Sequence, residues 1–113
     1  MQYDLEERTT RFSEKIIDFA RSIPLDDITK PLIVQLIKSG TSIGANYREA
    51  NEGSSKRDFK NKIFISKKES NETQYWLRII ARAIPDKYEE SKVLWQEAHE
   101  LTLIFGKIVK KVK

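Results

Sequence analysis

The chain has 113 residues, a net charge of +4, 34% charged and 39% hydrophobic residues, and no cysteine. That length supports a single domain over residues 1–113 with one modest core, and the absence of thiols excludes disulfides, thiolate zinc sites and cysteine nucleophiles. The polar, acidic start "MQYDLEERTT" reads as no signal peptide, and no apolar run nears the roughly 20 residues of a membrane span, so the expected location is cytoplasmic with no membrane partner.

The first predicted helix runs from about Asp4 to Ile23. Leu5, Thr9, Phe12, Ile16, Phe19 and Ile23 step by three and four, a seam of period near 3.5, and Pro24 stops it. A second helix is expected from about Pro31 to Glu52. Pro31 suits a first turn, and Gly53 is expected to end the helix in the left-handed conformation. Two stripes run along this helix: Ile33, Ile37, Gly40, Gly44, Tyr47, Asn51, and beside it Leu32, Leu36, Ser39, Ile43, Asn46, Ala50.

The third helix begins at Ser54 or Ser55, with Ser55 and Asp58 spaced as a variant capping box. Its seam is Phe59, Ile63, Ser66, Ser70, Thr73, Leu77, Ile80 and Ile84, closed by Pro85. A neighbouring stripe carries Ile65, Glu69, Glu72, Trp76, Ile79 and Ala83. The fourth helix is expected from about Asp86 to Val112, on Leu94, Ala98, Leu101, Phe105, Ile108 and Val112. Short connections make sequential helices antiparallel. The predicted fold is therefore all-α, an antiparallel up-down-up-down four-helix bundle.

Charge divides unevenly along the chain. Residues 1–53 hold 7 basic and 9 acidic side chains, and residues 54–113 hold 14 and 8. "SSKRDFKNKIFISKK" supplies Lys56, Arg57, Lys60, Lys62, Lys67 and Lys68, and the tail supplies Lys107, Lys110, Lys111 and Lys113. A basic half of this kind suits a polyanion such as RNA or DNA, or an acidic protein face; a solvated helix surface is the plainer reading.

Catalytic and metal chemistry find little footing. The one histidine, His99, follows Gln96 rather than a glutamate, so the Glu-x-x-His spacing of a di-iron bundle is absent. No metal, cofactor or enzymatic activity is expected. Glu69 and Glu72 share a stripe with Trp76; structural pairing with Asn46, Arg48 or Asn51 is favoured over acid catalysis. Trp76 beside Tyr75 reads as packing more readily than as a base-stacking platform. Gly40-x-x-x-Gly44 permits close helix approach, either inside the bundle or between copies. Two buried-looking faces on helices two and three exceed what a lone bundle needs. The expected self-interface is Gly40, Gly44, Asn46, Tyr47, Glu69, Glu72, Trp76 and Ile79.

The segment 35–80 resembles the four-helix bundle family of 23S rRNA-intervening sequence proteins, also called the S23 family. The matching residues are Gln35-Leu36, Ser39, Ser42-Ile43-Gly44-Ala45-Asn46, Glu49-Ala50, Ser55-Lys56, Asp58-Phe59, Lys67, Glu69, Glu72-Thr73 and Tyr75-Trp76-Leu77. Ala50 replaces the glycine of the family's usual Asn-x-x-Glu-Gly wording. The resemblance implies homopentameric rings with no enzymatic activity. Through the more distant accessory variability determinant proteins of diversity-generating retroelements, it also implies nucleic-acid and reverse-transcriptase partners. A scaffold that binds only protein is the alternative.

Overall fold

A computed structural model describes residues 4–112; Lys113 of the basic tail lies outside them. Four helices follow in order, α1 (Leu5–Arg21), α2 (Thr29–Asn51), α3 (Lys56–Ala83) and α4 (Tyr88–Lys111), with a single 3-10 turn at Pro85–Lys87 before α4. The body measures 44 × 29 × 19 Å. Among the described residues there is no strand.

Each boundary has a local cause. Asp4 caps α1 by accepting the Glu6 N–H at 3.0 Å. The helix stops at Arg21 rather than Ile23, because the residue before Pro24 is disfavoured in helical conformation. Helix α2 starts two residues before Pro31. Asp26 supplies the cap: its Oδ1 accepts from the Ile28 and Thr29 N–H groups, each at 2.8 Å, while Thr29 Oγ1 donates to the Pro24 carbonyl. Gly53 is not left-handed, contrary to expectation; no described residue has positive φ. Its N–H donates to the Ala50 carbonyl, and a Cβ there would lie 3.2 Å from that oxygen, so space explains the glycine. Ser55 caps α3 by accepting the Asp58 N–H at 3.0 Å, as the spacing predicts. Pro85 opens the 3-10 turn, which delays α4 to Tyr88.

The predicted seams of α1, α3 and α4 meet at the centre. Phe12, Ile16, Leu36, Ile43, Ile63, Leu77, Ile80, Leu101 and Phe105 are fully buried. Each such side chain contributes about 1.5–3 kcal/mol on leaving water. The hydroxyls on the α3 seam are satisfied across helices. Ser66 donates to the Ile43 carbonyl and Thr73 to Ser39 Oγ, tying α3 to α2. Ser70 and Gln74 bond to Thr102, tying α3 to α4. Helix α3 therefore packs extensively on both α2 and α4, and α2 on α1 and α3.

That arrangement turns the α2 stripe with Gly40 and Gly44 toward α1. Gly40 is buried beneath Ile16, and Gly44, half-buried, lies against Thr9, both on α1. The small residues let α1 approach α2 within the same chain. The close approach at Gly40 and Gly44 is thereby accounted for within the chain. Tyr47 also turns inward, with its ring 5.6 Å from that of Phe105 on α4.

Candidate nucleic-acid interface

Helical spacing sorts the basic side chains by face better than their order in sequence does. On α3, Arg57, Lys60, Phe64, Lys67, Lys68, Asn71, Gln74, Tyr75, Arg78 and Arg82 recur every three or four residues, on the side turned toward α4 and outward. On α4, Tyr88, Lys92, Trp95, His99, Thr102, Gly106 and Lys110 do the same on the side turned toward α3. Contacts confirm the pairing of these faces: Lys67 Cε would lie 3.6 Å from a Cβ on Gly106, and Gln74 bonds Thr102.

The combined α3–α4 face carries no carboxylate along its length. Asp58 and Asp86 stand at its two ends, and Glu72 at the edge toward α2. The acidic side chains of α4 gather on the opposite side. Arg8 of α1 holds Glu97 through Nε at 2.7 Å and Nη2 at 2.8 Å, and reaches Glu100 at 2.9 Å. This pairing keeps the Arg8 guanidinium charged more firmly than usual, through its bond to Glu97 first.

Most of the basic residues expected from the sequence fall on the α3–α4 face or at its end. Arg57, Lys60, Lys68, Lys107 and Lys110 are exposed, with no salt bridge among the described residues. Lys67 lies across Gly106. Lys56 and Lys111 meet at one end, where they line a cavity of about 630 Å³ with Gly53, Ser54, Ser55, Phe59 and Val112. Lys62 departs from the set. It points the other way and pairs with Glu49 of α2 at 2.8 Å, because two residues on from Lys60 the helix has turned by about 200°. Segment counting missed Arg78, Arg82, Lys92, Tyr88 and Trp95, which lie far from the basic run but continue its face at helical spacing. Exposed aromatics interleave the cations, Phe64 at 54% and Tyr75 at 56% of full exposure on α3 and Tyr88 at 52% on α4.

The remaining self-interface candidates lie on the other flank of α3. Glu69, Trp76 and Ile79 are half-buried there, Glu72 is exposed, and Asn46 of α2 is satisfied by the Ser42 carbonyl of its own helix. Burial, then the nearby Glu72 charge, raises the Glu69 carboxyl above its ordinary range, against the opposing pull of Lys68 and Lys38. The Trp76 indole N–H is buried without a partner. His99 stacks on Trp95 with ring centroids 5.1 Å apart. Among the described residues, no group of three or more His, Asp or Glu side chains is placed to hold a metal ion, and no helix is long and apolar enough to cross a membrane.

The family of 23S rRNA-intervening sequence proteins matches residues 1–102. The chain belongs to that family. Helices α1 to α3 and the start of α4, including Tyr88, Lys92 and Trp95, fall inside the matched span. A solved structure from the S23 ribosomal protein family of Bacteroides thetaiotaomicron VPI-5482, described as a protein with unknown function, superposes with a TM-score of 0.83 at 29% identity. The superposition covers 96% of this chain and 100% of the other. No curated protein matches. The resemblance read from residues 35–80 thus extends over nearly the whole length of the chain. Neither family description names an enzymatic activity.

Proposed function

We propose that this member of the intervening-sequence family binds nucleic acid through its α3–α4 face. One observation carries the reading: two adjacent helices present a continuous row of cations with no carboxylate between the ends. Lys and Arg on such a face contact phosphates without reading sequence. Phe64 and Tyr75 among them offer flat surfaces on which unpaired bases stack. The carboxylates withdrawn to the α1 side, notably Glu97 and Glu100, leave that row unneutralised.

The test is retention of RNA and DNA by the purified protein as salt is raised. Affinity is expected to fall with a log–log slope of roughly −0.9 per phosphate contacted on duplex DNA and about −0.7 on single strands. Lys60→Glu with Lys68→Glu should weaken binding, whereas Lys30→Glu, at the start of α2, should not. No binding of either nucleic acid at about 50 mM salt, where such contacts are strong, overturns the reading.

Self-assembly forms a second element of the proposal, through the α2–α3 flank. Trp76 and Ile79, half-buried beside the perturbed Glu69, support it. Sedimentation equilibrium should then find species heavier than the 13.2 kDa chain; a lone 13.2 kDa species at high concentration refutes it.

A further inference from the structure

Where α3 ends and α4 begins, beside the 3-10 turn, lies a groove of about 840 Å³. Leu77, Ala81 and Pro85 give it an apolar base. Arg78, Arg82 and Lys92 ring it with positive charge, and Tyr88 and Trp95 contribute two aromatic rings. Ser91 lines it as well. That residue is only 2% exposed, and its hydroxyl has no hydrogen-bond partner. A buried hydroxyl left unpaired costs about 1–3 kcal/mol, and an occupant of the groove that bonds to it would recover that cost.

We propose that this groove holds one unpaired nucleotide of a single strand. A base is flat and apolar on its faces and carries hydrogen-bonding groups at its edge. It fits between the apolar base of the groove and the rings of Tyr88 and Trp95, with an edge atom on the Ser91 hydroxyl. Its flanking phosphates fall to Arg78, Arg82 and Lys92. Charge complementarity selects an anion, and the aromatic lining selects a stacking one. The strand is favoured over a free nucleotide because Arg78 and Arg82 also close the cationic row of α3, so a chain lying along that face runs into the groove. The proposal rests on nucleic-acid binding by the α3–α4 face, and adds a preference for single strands over duplex.

Fluorescence anisotropy with a labelled single-stranded oligonucleotide and a duplex of equal length separates the two claims. Tyr88→Ala, at a residue 52% exposed, should weaken single-strand binding about tenfold, the lower range of one stacked base, and duplex binding by clearly less. Ser91→Ala should weaken single-strand binding roughly threefold, one hydrogen bond's worth, while thermal stability holds or rises because an unpaired buried hydroxyl is gone. A merely structural serine would not divide those two readouts. Unchanged single-strand affinity in both variants, with the parent protein binding normally, overturns the pocket and leaves the phosphate-binding face standing. Adenosine monophosphate competing as strongly as the strand overturns the strand as occupant. A parent protein that binds neither oligonucleotide overturns the face and the pocket together.

Discussion

Gly40 lies beneath Ile16 so closely that a Cβ on the glycine would stand 3.0 Å from Ile16 Cγ1 and 3.1 Å from Cγ2. Ile16 is fully buried and branched at Cβ, with no free direction in which to turn. Gly40→Ala gains about 1 kcal/mol in helix propensity. Forcing a methyl into a filled core costs about 1–3 kcal/mol, and here the loss should prevail. A net destabilisation near 1 kcal/mol is expected, seen as a fall of about 4 °C in melting temperature for a domain of this size. An unchanged or higher melting temperature would mean that α1 can lift off α2 without cost.

Gly106 makes the opposite prediction. The nearest atoms to a Cβ there are Lys67 Cε at 3.6 Å and Nζ at 4.0 Å, ordinary contacts with the flexible end of a side chain. Helix propensity alone decides, so Gly106→Ala should stabilise by about 0.5–1 kcal/mol in urea unfolding. Performed together, the two alanine substitutions separate a glycine kept for space from one that packing does not require.

The contrast between these glycines marks how far the sequence could be read. Helices α1 and α4 each show one clear seam and α3 a seam with a second stripe beside it, and Phe12, Ile63, Leu77 and Leu101 fall at the buried seam positions. Helix α2 shows two stripes because it packs against neighbours on two sides: Ser39 faces α3 through Thr73, and Gly40, one residue on, faces α1 through Ile16. Periodicity registers both stripes but cannot say whether the covering surface belongs to the same chain. The basic face was legible only in part for a similar reason. Lys60 and Lys62 are neighbours in the sequence, yet lie on opposite flanks of α3. Tyr88 and Trp95 depend on the register of α4, which the turn at Pro85–Lys87 sets.

Arg8 is the main polar link between α1 and α4, whose contact is otherwise slight. Its forked bond to Glu97 is three-quarters shielded from solvent, the setting in which a charged hydrogen bond retains value. Arg8→Ala should cost about 1–2 kcal/mol, and Arg8→Lys should recover only part of it, since an ammonium cannot make the fork. Hydrogen exchange should quicken in α1 before α3. Equal quickening throughout the chain would show that α1 does not open as a separate unit.

Two carboxyls should shape the acid limb of stability in opposite senses. The Thr29 and Ile28 N–H groups at the start of α2 hold the Asp26 carboxyl below its ordinary value of 3.8. The unfolded chain therefore takes up this proton first as pH falls. The stability Asp26 lends is present above 3.8 and drains away below it, down to the folded value. Burial and the Glu72 charge raise Glu69 above 4.5, so the folded chain takes up that proton first. Its contribution is full below 4.5 and is lost as pH rises through the folded value. Asp26→Asn keeps a capping oxygen but cannot titrate, and should flatten the most acidic part of the profile. Glu69→Gln should be more stable than the parent at neutral pH, with the advantage vanishing on acidification. Thermal melts between about pH 2 and 7 check both. Parallel curves for the parent and Glu69→Gln would show that the carboxylate sheds its burial penalty by turning into solvent, and would remove Glu69 from the flank proposed for self-assembly.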